Sequence, residues 1–317
     1  MARKVIFFGS PEFAIPSLEA LLNSEFQPVL VVTQTDKPSG RGRAPAATAV
    51  KSFAVKAGIP VETVSSFRAS DIVSRLERLE PDFLVVVSFG LFLPESLLRI
   101  ASLGNINLHA SLLPAYRGAS PINYALINGD SFTGVTTMEM VKEMDAGPVY
   151  LQRIVEVRPF ENSQELSVRL SVIGAELVVE TLTRRVVSGL EPVPQPEEHV
   201  SFARKLKKTD GLIPWEKDAI SIHNHIRGMH PWPGSFTYIN GKYIKVHKAE
   251  PVDLIKRDIE PGTVMKADED EIIAACGTGA VRLSVLQAEG RKVLSASEFL
   301  RGFPIKSGDV LTKEGRR

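Results

Sequence analysis

Cysteine is almost absent from this chain of 317 residues. The one cysteine, Cys276, cannot form an internal disulfide, and no Cys/His spacing typical of a zinc site occurs. The chain also lacks the run of about 18 to 20 apolar residues that a membrane span requires. The apolar run before Gly9 is too short for the core of a secretory signal. We therefore expect a cytoplasmic protein that holds no metal ion and contacts no membrane.

An excess of one charge sign is lacking as well. The 38 basic and 37 acidic side chains give a formal net charge of +1. This balance excludes a protein that coats nucleic acid through its overall charge, so any contact with an anionic partner must come from local patches. Hydrophobic residues at 44% and charged residues at 24% are typical of a globular protein. The length predicts about two domains.

Three glycine motifs are missing. The turn that starts at Gly9 (Gly-Ser-Pro-Glu-Phe-Ala) lacks the G-x-G-x-x-G spacing of dinucleotide-binding proteins. No G-x-x-x-x-G-K-[S/T] loop occurs, which argues against a P-loop nucleotidase. The nucleophile elbow G-x-S-x-G is absent too, so a serine nucleophile with a covalent intermediate is disfavoured.

The first part of the chain alternates short β-rich runs with helical patterns. This alternation predicts an α/β, Rossmann-like domain with a mostly parallel sheet. The predicted strands span residues 5–8, 28–33, 60–64, 83–88, 105–110, 134–140 and 150–157, and the predicted helices span 10–22, 47–56, 68–79 and 120–129.

The pattern breaks after Leu190, where Glu191-Pro-Val-Pro-Gln-Pro is stiff and extended and a basic cluster begins at Arg204. We place a catalytic domain at residues 1–189, a linker at 190–210 and a second domain at 211–317. The second domain contains a hairpin signal at Asn240-Gly241. Its predicted strands (236–239, 243–248, 262–266, 271–275 and 281–287) and helices (218–229 and 295–301) indicate a smaller, mostly antiparallel, OB-like β-barrel.

The strand at 105–110 carries an unusual polar face. Its period of two places Asn105, Asn107 and His109 on one side, whereas central parallel strands are normally apolar on both faces. Ligands of open α/β sheets bind beyond the carboxyl ends of the strands. An amide can donate a hydrogen bond to an oxyanion, and an imidazole can accept or donate a proton near neutrality. Asn107 and His109 therefore suit acyl transfer, although a structural role for both side chains stays open.

The stretches Asn107-Leu-His109, Ser111-Leu-Leu-Pro114 and Met144-Asp145-Ala-Gly147-Pro together resemble the signature of the formyltransferases that use 10-formyltetrahydrofolate. The resemblance implies that Asn107, His109 and Asp145 are the catalytic trio. It also implies that 10-formyltetrahydrofolate is the co-substrate. The residues implied to bind the folate are Ser111, Leu112, Leu113, Pro114, Phe89, Gly90 and Leu91.

Members of this family differ in the amine that they formylate: initiator methionyl-tRNA, a glycinamide ribotide or an amino sugar on a nucleotide. The second domain argues against the single-domain glycinamide enzymes. The basic, Gly-rich loop at 33–43 resembles the inserted loop of the members that act on tRNA, and arginine suits phosphates and base edges. The second domain resembles their RNA-binding barrel.

We therefore expect initiator methionyl-tRNA and folate as partners of a monomer. The residues expected to bind tRNA are Lys37, Arg41, Arg43, Lys207, Lys208 and Lys245. Two alternatives stay open at this point: an amino-sugar nucleotide formyltransferase, and an RNA-binding protein without catalytic activity.

Overall fold

The chain divides into two units. A computed structural model describes residues 2–39, 44–68, 71–254, 259–268 and 270–314. The amino-terminal unit comprises Met1–Pro121, Thr133–Glu156 and Ser167–Ala203, and the carboxy-terminal unit comprises Ile122–Phe132, Val157–Leu166 and Arg204–Arg317. The interval 190–210 is thus shared between them, up to Ala203 in the first and from Arg204 in the second.

Eleven strands and six helices precede residue 204 in the described part of the chain. The strands are β1 (Arg3–Gly9), β2 (Phe26–Gln34), β3 (Lys37–Ser39), β4 (Ala44–Ala46), β5 (Val61–Val64), β6 (Phe83–Val87), β7 (Asn105–His109), β8 (Arg117–Gly118), β9 (Phe132–Met138), β10 (Val149–Glu156) and β11 (Phe202–Ala203). The helices are α1 (Ile15–Leu22), α2 (Ala49–Lys56), α3 (Ile72–Glu77), α4 (Glu95–Leu98), α5 (Pro121–Asn128) and α6 (Ser163–Ser188).

The main sheet of the amino-terminal unit has seven strands in the order β10-β9-β7-β6-β1-β2-β5. The pairs β5–β2, β2–β1, β1–β6 and β6–β7 are parallel, whereas β7 and β9 are antiparallel. Val5, Ile6, Phe7 and Phe8 of β1 are fully buried, as expected for a central strand with helices on both faces. The predicted mostly parallel α/β fold is confirmed.

Several helices differ from the predictions: α3 is shorter than its predicted span, the four-residue α4 has no predicted counterpart, and α1 and α6 differ as follows. A 3-10 turn at Glu12–Ala14 precedes α1, which begins only at Ile15. Pro16 lacks the N–H that a helix interior requires, so it sits in the first turn of α1, where no partner is needed. The long helix α6 has no counterpart among the predicted elements. Its apolar residues lie on more than one face, since Leu170 is buried while Val168 is exposed, which weakens the helical pattern.

The extended stretch before β11 is hydrogen-bonded to the amino-terminal unit. Val193 and Val149 exchange two backbone hydrogen bonds of 2.8 Å. Further along, β11 pairs in parallel with β8, placing Ala203 opposite Gly118. Since β6 and β7 are parallel neighbours, the loops that follow them leave the sheet at the same edge.

The carboxy-terminal unit contributes seven more strands and two more helices. These are α7 (Ala219–Gly228), β12 (Ser235–Ile239), β13 (Lys242–Val252), β14 (Val264–Asp268), β15 (Glu271–Ala275), β16 (Ala280–Ala288), β17 (Leu294–Ser295), α8 (Ala296–Gly302) and β18 (Leu311–Thr312). A 3-10 turn at Lys208–Gly211 precedes them, and another at Glu197–His199 belongs to the amino-terminal unit.

These strands form an antiparallel sheet in the order β14-β15-β16-β13-β12-β18, with β17 paired to β16. The two end strands are also joined, because the Leu311 N–H donates to the Gly262 carbonyl and the Val264 N–H to the Asp309 carbonyl, each at 2.8 Å. The sheet thus closes around an apolar core, and the predicted barrel is confirmed. Gly262 has a φ of +90°, and a Cβ at this position would overlap the Leu311 carbonyl oxygen.

Candidate active site

The polar face of β7 divides into a structural and an available asparagine. Asn105 is buried, its Nδ2 donates to the Leu98 carbonyl at 3.2 Å, and its Oδ1 accepts from the Met140 N–H at 2.6 Å. Asn107 is half-buried, and its side-chain amide has no hydrogen-bond partner among the described residues. The amide of Asn107 is therefore available to a ligand at the carboxyl edge of the sheet.

His109 lies at the end of the same strand and is 7% exposed. Its Nε2 is 3.0 Å from the Tyr116 carbonyl oxygen, and its Nδ1 is 3.7 Å from Asp145 Oδ2. The second distance is too long for a hydrogen bond. Both ring nitrogens thus face oxygen atoms.

Asp145 lies in the turn between β9 and β10, and an unusual backbone conformation places its carboxylate near His109. Its φ is +52°, in the left-handed region that residues other than glycine rarely adopt. Its Oδ2 accepts a 2.8 Å hydrogen bond from the Gly118 N–H. The structure therefore brings His109 and Asp145 together, as the family resemblance implies, and Gly118 aims the carboxylate.

Two hydrogen bonds of Ser111 fix the turn at Ser111–Pro114. The Ser111 hydroxyl donates to the Ala115 carbonyl at 2.6 Å, and the Thr136 hydroxyl donates to the Ser111 carbonyl at 2.6 Å. Ser111 and Leu113 are buried, whereas Leu112 and Pro114 are half-buried. Leu112 and Pro114 are thus the members of this set whose side chains are partly accessible.

The loop after β6 shows the same division. Phe89 is 2% exposed, and its ring packs in the core at 5.4 Å from Phe8 and 6.0 Å from Phe67. Its carbonyl accepts from Gln34 Nε2 at 2.6 Å. Gly90 is exposed with a φ of +75°, and Leu91 is half-buried. Any ligand contact of this loop is therefore expected through the Gly90 backbone and Leu91.

A buried glutamine and a buried arginine complete the surroundings of Asp145. Gln195 Nε2 lies 2.8 Å from the Asp145 carbonyl and 2.7 Å from the Gly147 carbonyl. Its Oε1 accepts from Arg117 Nε at 3.0 Å. No sequence motif identifies Gln195 or Gly118 as neighbours of Asp145; the only sequence signal is the alternation Pro-Val-Pro-Gln-Pro, which leaves Gln195 between two prolines.

The six residues expected to bind tRNA are spread over the chain. Lys37 opens β3 in a short hairpin with β4, and Arg41 and Arg43 lie outside the described residues. Lys207 and Lys208 are exposed at a 3-10 turn, where Arg204 forms a bidentate pair with Asp210 that lowers the pKa of this carboxyl to about 2. Lys245 lies on β13 opposite Phe236.

Other catalytic chemistries find little support in the described part of the chain. Burial raises the pKa of the Cys276 thiol to about 12, so the thiol is not a ready nucleophile. No group of three or more His, Cys, Asp or Glu side chains is placed to hold a metal ion among these residues. No helix described is long and apolar enough to cross a membrane. What the site offers is an amide donor beside an imidazole–carboxylate pair, a set suited to transfer of an acyl group.

Comparison with known proteins places both parts of the chain. Residues 3–182 match the family model described as "Formyl transferase", and residues 205–304 match "Formyl transferase, C-terminal domain". A methionyl-tRNA formyltransferase of Geobacter metallireducens is 44% identical over 304 residues, which cover 96% of this chain and 97% of the relative.

Solved structures share the fold at lower identity. An N-formyltransferase from Helicobacter canadensis, in complex with folinic acid and dTDP-3-aminofucose, is 18% identical with a TM-score of 0.66, covering 91% of this chain and 100% of the neighbour. HypX from Aquifex aeolicus, in complex with tetrahydrofolic acid, is 18% identical with a TM-score of 0.63. The match covers 98% of this chain but only 51% of HypX.

Proposed function

The chain belongs to the formyl transferase family, and from that premise we propose that it transfers the formyl group of 10-formyltetrahydrofolate to the α-amino group of initiator methionyl-tRNA, for translation initiation. The observation that carries the choice of acceptor is the match to a methionyl-tRNA formyltransferase over nearly the full length of both chains. The neighbour in complex with dTDP-3-aminofucose is similar in fold alone.

Asn107 and His109 assist the step in which the formyl carbon changes from planar to tetrahedral. The amine of methionyl-tRNA attacks the formyl carbon, and its carbonyl oxygen gains negative charge. The Asn107 amide donates to this oxygen; where such a donor has been removed in other enzymes, the rate fell about 10²- to 10³-fold. Free α-amino groups have a pKa of about 7.7 to 8.0, so much of the amine is already neutral near pH 7.5.

His109 accepts the proton that the amine loses after attack. Asp145, 3.7 Å from Nδ1, holds the ring and stabilises its positive charge. Because Nε2 faces the Tyr116 carbonyl, we expect this contact to be exchanged for the substrate when it binds. His109 then returns this proton to N10 of tetrahydrofolate as the C–N bond to the formyl carbon breaks, and the N-formyl amide remains on the methionine.

The folate is bound at the carboxyl edge of β6 and β7. The accessible groups belong to Gly90, Leu91, Leu112 and Pro114. Ser111 and Phe89 fix the shape of the two loops through the contacts described above, and Leu113 is buried. We propose further that the protein acts as a cytoplasmic monomer, since one chain carries all three catalytic residues and translation supplies the acceptor.

The acceptor is tested by incubating the protein with 10-formyltetrahydrofolate and either methionyl-tRNA or an amino-sugar nucleotide. We expect N-formylmethionyl-tRNA, detected after hydrolysis of the ester, and no formylated sugar. Transfer to the sugar without transfer to tRNA contradicts the proposal.

The catalytic role is tested by Asn107→Ala and His109→Ala. Each is expected to reduce kcat by about 10²-fold or more while the affinity for tRNA stays within about twofold, because both residues act on the formyl group and not on the RNA. Asn23→Ala and His199→Ala change exposed residues of the same types and serve as controls. Loss of binding with normal turnover would support an RNA-binding role without catalysis.

A further inference from the structure

We propose that Gln195 is a positioning residue that holds Asp145 against His109. The side chain does not touch the proposed substrates; it fixes the backbone from which the carboxylate projects. The kinetic part of this inference rests on the proposed function, whereas the positional part concerns the fold alone.

Asp145 needs such a restraint because its backbone conformation is unfavourable. A residue with a side chain at a φ of +52° is disfavoured by roughly 1 to 3 kcal/mol relative to ordinary backbone conformations, and surrounding contacts must compensate. Within the described part of the chain, the side chain of Asp145 accepts one hydrogen bond, from the Gly118 N–H. That bond fixes the carboxylate only if the backbone behind it stays in place.

Gln195 supplies the backbone contacts. Its amide nitrogen donates to the carbonyls of Asp145 and Gly147, at 2.8 and 2.7 Å, and so spans the residues on either side of Ala146. The orientation of the amide is determined by its surroundings, because the nitrogen faces two acceptors and the oxygen faces the Arg117 guanidinium at 3.0 Å. A flipped amide would lose all three hydrogen bonds.

The segment that carries Gln195 is itself stiff and anchored. Prolines at 192, 194 and 196 restrict its backbone. Val193 exchanges hydrogen bonds with Val149 on one side of Gln195, and β11 pairs with β8 on the other. Because β8 contains both Arg117 and Gly118, the same anchored segment supports the guanidinium that orients Gln195 and the N–H that aims the Asp145 carboxylate.

Amide hydrogen exchange of the full-length protein tests the positional claim without reference to activity. In Gln195→Ala we expect the Gly118 N–H to exchange about tenfold faster or more, because its acceptor on Asp145 is no longer held. The Ala119 N–H, which donates to the Ala203 carbonyl at 2.8 Å, is the internal control and is expected to change by less than about twofold. Unchanged exchange at Gly118 overturns the proposal, whatever the protein catalyses.

Kinetics test the consequence for catalysis. Gln195→Ala is expected to lower kcat by about 10- to 100-fold with the KM for each substrate within about twofold, because the change displaces a catalytic group and no binding group. Gln195→Glu keeps an oxygen toward Arg117 and the side-chain volume but removes the donor, so we expect a loss at least as large. Gln27→Ala removes another glutamine that donates to a backbone carbonyl, away from the site, and is the matched control.

A double variant separates positioning from general stabilisation. In an Asp145→Asn background, Gln195→Ala is expected to reduce kcat by less than about twofold further, since Gln195 acts through the carboxylate already removed. Full additivity of the two losses overturns the positioning role. Failure of the wild-type protein to formylate any acceptor overturns the proposed function instead, and the Gly118 exchange rate still decides whether Gln195 positions Asp145.

Discussion

At the scale of single residues, the site depends on which polar groups the fold leaves unsatisfied. Asn105 and Asn107 have the same side chain on the same face of β7, and the period of a strand predicts this placement from sequence. Their different environments come from the Leu98 carbonyl and the Met140 N–H, which both contact Asn105. These partners lie outside β7, where no local pattern predicts them, so strand periodicity identifies the polar face but does not by itself distinguish Asn107 from Asn105.

His225 shows how burial alters the charge of a side chain. It lies in α7, is 8% exposed, and its Nε2 has no hydrogen-bond partner among the described residues. Burial lowers the pKa of its ring to about 4. Between pH 6.5 and 4 the unfolded chain therefore binds a proton that the folded chain does not. We expect the carboxy-terminal unit to lose roughly 3 kcal/mol of stability as the pH falls through this window.

The measurement is urea unfolding at pH values from about 7 to 4. Both tryptophans, Trp215 and Trp232, lie in the carboxy-terminal unit, so their fluorescence reports on it. His225→Gln removes the titrating group and is expected to flatten the pH dependence, while His199→Gln, at an exposed position, should follow the wild type. Some slope will persist, because burial and His247 also lower the pKa of His230. An unchanged slope in His225→Gln contradicts the prediction.

At the scale of secondary-structure elements, short regular patterns were predictive and contacts between distant segments were not. The buried run of β6 and the capped helix α8 follow from local sequence. The stretch 190–203 does not: its prolines predict a stiff extended chain, and the hydrogen bonds from Val193 to Val149 are made to a strand distant in sequence. The extended backbone is predicted only for residues 191–196, whereas the 3-10 turn at Glu197–His199 and the pairing with Val149 are found only in the folded chain.

Closure of the barrel depends on one glycine. In Gly262→Ala the new methyl group meets the Leu311 carbonyl, and the φ of +90° is strained for alanine. We expect a loss of about 2 to 3 kcal/mol in the free energy of unfolding, measured by tryptophan fluorescence in urea. Gly290→Ala is the matched control, because its φ is +71° but a Cβ there meets nothing within 4 Å. Equal losses in both variants would show that backbone strain alone, and not closure, sets the effect.

The loop between β3 and β4 carries the arginines expected to reach tRNA. Arg41→Ala is expected to raise the KM for methionyl-tRNA by about tenfold, the worth of one charge-assisted contact, and to leave the KM for the folate unchanged. Arg78→Ala removes the same charge from an exposed position in another part of the amino-terminal unit and should leave both constants unchanged. Equal effects of Arg41→Ala on the two substrates would argue against a role in RNA binding.

At the scale of the whole molecule, the charge is nearly balanced but unevenly distributed. Residues 206–317 contain 18 basic and 15 acidic side chains, against 20 and 22 in the rest of the chain. The near-neutral total therefore excludes a general affinity for polyanions and is compatible with a local one.

We expect the use of tRNA to be sensitive to salt, because lysine and arginine contacts to phosphates weaken as salt rises. If about three phosphates are neutralised, kcat/KM for methionyl-tRNA is expected to fall by roughly tenfold or more between about 50 and 200 mM KCl. The KM for the folate, measured at saturating tRNA over the same series, is the control and should change much less. A flat salt profile for tRNA would indicate that recognition depends on uncharged contacts.

The anchored stretch 190–203 also decides where this protein can be recombined with its relatives. A chimaera joined near residue 190 would take Gln195 and β11 from one parent protein and Asp145 and β8 from the other. Residues that hydrogen-bond to each other would then come from two different proteins. A join just after Ala203 keeps these residues within a single parent. We therefore expect a working chimaera from a join at the end of the proline-rich segment and not from one at its beginning.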